Sequence, residues 1–308
     1  MIWAFLINLC PDGKELANVL NTMVEFIRES RKTGKSCFDE LYYRLTSAEH
    51  HIGLRKGLIP IYLAAVIHEF KRSVLITDRF GQVATSTDTL LQINAEPKNF
   101  YISYLDWNPE KEQFVNNLAA LFKEHIIDAE KANNSYEYVV MAMRRWYMSL
   151  PKYAKEIKKT ISGDKVDKRY LSFVRLLRQN VGAHEFLFEK MPEAFGYAAE
   201  FTPGVYENVA AAKNYFDSVM DTLRSSLIQE VKELFGSSKS KRFEMTSLAS
   251  VIKDWCEVLD TTVFEQLFPD GTEKCLMLFR SVTNDEDTFI ARLAKIATDL
   301  RLEDWDDS

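Results

Sequence analysis

A mainly α-helical protein carrying one small mixed module is the fold class that the sequence predicts. Gly and Pro are scarce, 11 and 8 among 308 residues, which favours long helices over a loop-rich β fold. Apolar residues recur at spacings of three and four along most of the chain. Against that background, Val74-Leu-Ile-Thr77, Asp78-Arg-Phe-Gly81 and Gln82-Val-Ala84 read as a β-hairpin with a Gly-tipped turn.

The elements follow in order. Met1 to Cys10 is apolar but lacks a basic n-region and a small-residue cleavage site, so it reads as a buried first helix rather than a signal peptide. Leu16, Val19, Leu20, Met23, Val24 and Ile27 define an amphipathic helix over 15–30. Ser36 with Asp39 three residues on predicts a capped second helix reaching Leu45. A third helix is expected from Leu58 to Phe70, with Pro60 tolerated in its first turn. After the hairpin come a short helix over 87–93 and an aromatic strand, Phe100 to Leu105. Together with the hairpin, that strand makes a three-stranded sheet.

Asn108-Pro109-Glu110 is a strong helix start, and that helix is expected to reach Lys131. Helices are then expected over 136–149, from Pro151 to Ile161, over 167–180 and from His184 to Met191. Thr202-Pro203 opens the longest helix, apolar at Val205, Val209, Ala212, Phe216, Val219, Leu223, Leu227, Val231 and Leu234. Gly236 to Arg242 is a flexible loop, followed by helices over 247–259, 261–267, 273–281 and 286–300. The predicted division is a mixed module, 1–107, followed by a helical bundle, 108–308.

The helix–helix–helix–hairpin order of residues 15–84 resembles a winged helix. In a DNA-reading version the third helix offers polar and basic side chains to a major groove. Here it carries Leu58, Ile59, Ile61, Tyr62, Leu63, Ala64, Ala65, Val66 and Ile67. It is therefore expected to be apolar nearly all round and buried, a scaffold rather than a reader. Arg79 at the wing tip could touch a phosphate.

Chemistry-bearing motifs are few. Gly34-Lys-Ser36 lacks the upstream glycine of a phosphate-binding loop, because position 29 is Glu. Cys10, Cys37, Cys256 and Cys275 form no CxxC and read as buried free thiols of a cytoplasmic protein. His50, His51, His68, His125 and His184 have no second ligand at metal spacing. No GxSxG is present. The sequence therefore predicts neither an enzyme nor a cofactor or metal.

The main electrostatic feature is the stretch 144–169. Arg144, Arg145, Lys152, Lys155, Lys158, Lys159, Lys165, Lys168 and Arg169 stand against Glu156, Asp164 and Asp167, a local +6 in a chain whose net charge is −6. Trp146, Tyr147 and Tyr153 interleave, as in some binders of nucleic-acid backbone. The competing reading is a solvated helix face with its aromatic rings in the core.

Three stretches resemble one known family. They are Gly53-Leu-Arg-Lys-Gly-Leu-Ile-Pro-Ile-Tyr-Leu-Ala-Ala65 with its hairpin, Phe186-Leu-Phe-Glu-Lys-Met-Pro-Glu-Ala-Phe-Gly196, and Ala291-Arg-Leu-Ala-Lys-Ile-Ala-Thr-Asp-Leu-Arg-Leu-Glu-Asp-Trp305. Together they are similar to the C-terminal parts of large bacterial ATP-binding proteins associated with phage defence. The resemblance implies a C-terminal fragment of a longer chain, with the nucleotide-binding domain upstream and no catalytic residue here. The expected function is a non-enzymatic interaction or coupling module, joined to a protein partner or to upstream domains, with no membrane association. The alternative is a nucleic-acid-binding module using the basic stretch and the wing.

Overall fold

A computed structural model describes residues 13–70, 72–132, 134–160, 163–235, 246–266, 268 and 271–306. The expected first helix, Lys71 and the 236–242 loop lie outside the described residues. The protein is mainly helical with a small four-stranded antiparallel sheet. Among the described residues no helix is long and apolar enough to cross a membrane. The chain forms two compact units, Met1–Arg145 with Arg178–Tyr206, and Trp146–Leu177 with Glu207–Ser308. This division differs from a split near 107. The chain leaves and re-enters the first unit, a pattern that no local linker announces.

In the first unit, α1 (Lys14–Thr33) leads to β1 (Ser36–Cys37), α2 (Phe38–Thr46), α3 (Ile59–Phe70), β2 (Val74–Asp78), β3 (Gly81–Val83), α4 (Thr87–Ala95) and β4 (Tyr101–Tyr104). The sheet order is β1-β4-β2-β3. β4 is central, pairing Ile102 with Ser36 on one side and with Ile76 on the other. The sheet thus has one strand more than expected. Ser36 does not cap α2: it lies in β1, and Cys37 holds the cap position without a side-chain bond. Pairing with β4 extends the backbone there and overrides the local capping signal. Met23, Phe26, Phe38, Leu41, Leu63, Val66, Ile76 and Ile102 fill one continuous core.

The hairpin turns where expected. Asp78 Oδ1 accepts the backbone N–H groups of Phe80 (2.7 Å) and Gly81 (3.1 Å). Gly81 takes φ +129°, a conformation that side chains resist.

α5 (Pro109–Leu121) starts at Asn108, whose side chain accepts the Lys111 N–H at 2.8 Å. It stops ten residues short of Lys131. Phe122 is buried, and the β-branched pair Ile126 and Ile127 favours the extended backbone that Ile126 adopts. α6 (Ser135–Ser149) follows. Residues 183–194 form one helical stretch with a π turn at Phe186–Lys190. Pro192 cannot donate to the carbonyl four residues back, and the wider turn upstream relieves that mismatch. Phe186, Leu187, Phe188 and Met191 are buried there.

The second unit is built on the long helix Val205–Phe235, of which Val209, Ala212, Phe216, Val219 and Leu223 are buried. Leu234 breaks the expected pattern and is 83% exposed. Trp146 packs between Phe173 and Phe216, and its indole N–H donates to Asp217 at 2.7 Å. Phe235, Trp255 and Phe279 form an edge-to-face cluster with centroids 4.8–6.0 Å apart. Leu248–Val258, Thr272–Arg280 and Glu286–Thr298 are α-helices, whereas Thr261–Glu265 is a 3-10 turn.

Candidate functional site

α3 decides between scaffold and contact surface. Its turn periodicity sends Ile59, Leu63, Val66 and Ile67 into the core, against α1 and α4. The other flank is not covered among the described residues. Ile61 is 65% exposed, Leu58 in the preceding turn 41%, and Ala65 is half-buried. The expectation of a helix buried all round is therefore corrected. An apolar helix needs two layers to hide both faces, and here one layer covers it. Beside this flank runs a groove of about 620 Å³ whose walls include Leu16, Leu54, Arg55, Leu58 and Tyr62.

A second hollow in the same unit, about 850 Å³, lies between the hairpin, α6 and residues 180–189. Gln82 of β3 joins its walls. Its amide donates to Glu137 at 3.4 Å and accepts the His184 backbone N–H at 3.3 Å. Gly182 makes room for it, since a Cβ there would stand 2.7 Å from the Gln82 amide oxygen. Burial raises the Glu137 carboxyl above its ordinary range. Burial first, and the Lys111 charge second, lower His184 to about 4, so the ring is neutral at pH 7. His184 Nε2 and Arg144 Nε are buried without a hydrogen-bond partner among the described residues.

The basic stretch is divided between the two units. Arg144 and Arg145 belong to the first unit. Arg144 donates to the carbonyls of Gln179 and Val181, each at 2.9 Å, and burial lowers its pKa. Arg145 donates to the His125 carbonyl and pairs with Glu130. The rest lie in the second unit. Lys152 pairs with Asp306 at 2.8 Å, and Lys155 donates to the Met148 carbonyl at 2.7 Å and lies over Tyr147. Arg169 pairs with Asp167. Lys158, Lys159, Lys165 and Lys168 are exposed. Arg79 is exposed at the hairpin tip, its guanidinium 4.5 Å from the centre of the Phe80 ring.

The fold beneath those lysines also departs from expectation. The helix after Pro151 ends at Glu156. Ile157 is extended, and the chain turns back on itself so that Lys159 and Lys165 pair antiparallel.

Trp146 and Tyr153 are buried, as the solvated-face reading requires. Among the described residues no cluster of three or more His, Cys, Asp or Glu side chains could hold a metal. Cys37, Cys256 and Cys275 form no disulfide and are half-buried rather than buried.

Sequence reasoning passed over Gln82, Glu137 and Gly182. Their only signal is the fold, which joins positions remote in the chain. No protein-family model, curated protein or solved structure matches this chain.

Proposed function

We propose that this protein is a non-enzymatic, cytoplasmic interaction or coupling module with a winged-helix-like N-terminal part, and that α3 docks a protein partner through its outer flank. The observation that carries this reading is the solvent-facing pair Leu58 and Ile61. A groove-reading helix needs hydrogen-bonding and cationic side chains there. An exposed apolar patch with a polar rim is the usual mark of protein contact, and Arg55, Lys56 and His68 supply such a rim. The three-stretch resemblance supports a partner that is the upstream part of a phage-defence ATP-binding chain, or a separate protein joined to one. A photoreactive residue at position 61, irradiated in cells of the natural host, tests this. One defined adduct, lost in Leu58→Asp, is the expected outcome. An adduct with nucleic acid, or none, would reject the reading.

A second reading has its own support. Exposed lysines crowd the turn after Ile157, which favours an anionic partner such as nucleic acid. On this reading oligonucleotide affinity falls steeply with salt, and reversal of Lys159 with Lys165 removes it. Reversal of Lys155 is less informative, because its ammonium already holds the Met148 carbonyl.

A further inference from the structure

We propose that the hollow between the hairpin, α6 and residues 180–189 binds a short peptide with free termini, its amino group at Glu137 and its carboxylate at Arg144. The inference goes beyond the readings above and rests on neither α3 nor the lysine turn.

The walls of the hollow all belong to the first unit. The sheet supplies one wall by alternation. Val74 and Ile76 point into the core, so Leu75 and Thr77 project from the opposite face, where Gln82 stands beside Thr77. α6 supplies another wall. Glu137, Val140, Met141 and Arg144 recur at spacings of three and four and form one stripe of that helix. Apolar side chains occupy the middle of the stripe, and opposite charges occupy its ends.

The third wall keeps the two ends distinct. Arg144 donates through Nη2 to the Gln179 and Val181 carbonyls, so its guanidinium sits where this segment begins. Gln82 accepts the His184 N–H and donates to Glu137, so the carboxyl lies where the segment passes into helix. Glu185 and Glu189 follow on that side and act on Lys190, whereas burial alone acts on the Arg144 charge. The hollow is therefore positive at one end and negative at the other.

Neither end is neutralised. Among the described residues no carboxylate pairs with Arg144 and no cation pairs with Glu137. Arg144 Nε is also buried without an acceptor. Desolvated charges are costly until an opposite charge meets them, and one ligand carrying both charges answers both ends. Glu137 and Arg144 stand about 10 Å apart along the helix axis. Three extended residues span about the same distance, so the ligand is a zwitterion of tripeptide size. A hollow of about 850 Å³ admits it. Leu75, Val140 and Met141 offer its central side chain an apolar bed, and the Thr77 hydroxyl and Asn180 amide border the same space for its peptide groups.

The test is calorimetric titration of the full chain with the tripeptide alanyl-leucyl-alanine, with its N-acetyl form and with its C-terminal amide. Blocking either terminus should weaken binding about tenfold or more. Glu137→Gln should weaken the free peptide by a similar factor and leave the acetylated one unchanged, because only a free amine meets the carboxylate. The blocked peptides probe the wild-type chain, so the test stands even where the variant unfolds. No binding of the free peptide at millimolar concentration, undiminished affinity for either blocked form, or a wild-type preference for the free amine in Glu137→Gln overturns the proposal.

Discussion

Within the basic run 144–169, Arg144 and Arg145 on one side and the turn lysines on the other meet different surroundings. Arg144 gives its guanidinium to two backbone carbonyls, and Arg145 gives its own to a carbonyl and a carboxylate. Lys159 and Lys165 stand in solvent, facing each other. The planar guanidinium satisfies several acceptors at once, so it is suited to tie irregular backbone inside a unit. The difference teaches that a charge run in a sequence describes composition, and only the backbone path decides which charges reach a partner.

Substitutions can break this comparison, and the largest expected effect lies elsewhere in the first unit, across the two flanks of α3. Leu63 is fully buried, so Leu63→Ala should cost about 2–5 kcal/mol in urea unfolding. Ile61→Ala, at 65% exposure, should change stability by less than about 0.5 kcal/mol. Equal losses would mean that the outer flank is covered.

The arginine–lysine contrast itself comes next. Arg144→Leu leaves the Gln179 and Val181 carbonyls without their donor and should cost about 2–3 kcal/mol. Lys168→Leu should cost almost nothing. If both variants unfold at the wild-type denaturant midpoint, the structural role of Arg144 falls.

A smaller effect is pH-dependent. His184 titrates near 4 in the fold, against about 6.5 in the unfolded chain. Between those values the unfolded chain binds the proton and the fold does not. The contribution of His184 is therefore complete above about pH 6.5 and is lost as pH falls toward 4, about 3 kcal/mol in all. Glu137, raised by burial, works in the opposite sense on acidification. His184→Gln should flatten the loss of stability between pH 6.5 and 4.5, and an unchanged slope would show that another group carries it.

Much of the helical frame was legible in the sequence, because periodicity and caps are local. Asn108-Pro109, the Val19, Leu20, Met23 and Ile27 face of α1 and the Asp78 to Gly81 turn were found where residue chemistry put them, whereas Leu16 at the start of α1 is exposed. What failed was set by distant partners. Ser36 became strand because β4 lies beside it, and Ile157 became extended because Val166 returns to pair next to it. The α3 helix misled for a related reason: its composition is apolar on nearly every side, and the layer that covers only one side comes from elsewhere in the chain. The hollow bounded by Gln82, Glu137 and His184 was invisible, since no spacing links residues so far apart.

The most direct measurement pairs stability with contact in one protein, Leu58→Asp with Ile61→Asp. If α3 docks a partner through this flank, the doubly substituted chain keeps its thermal midpoint within a few degrees and loses the adduct formed from a probe placed at position 65. A collapse of the midpoint would show the flank to be interior, and an undiminished adduct would show that the partner sits elsewhere; either result contradicts the account.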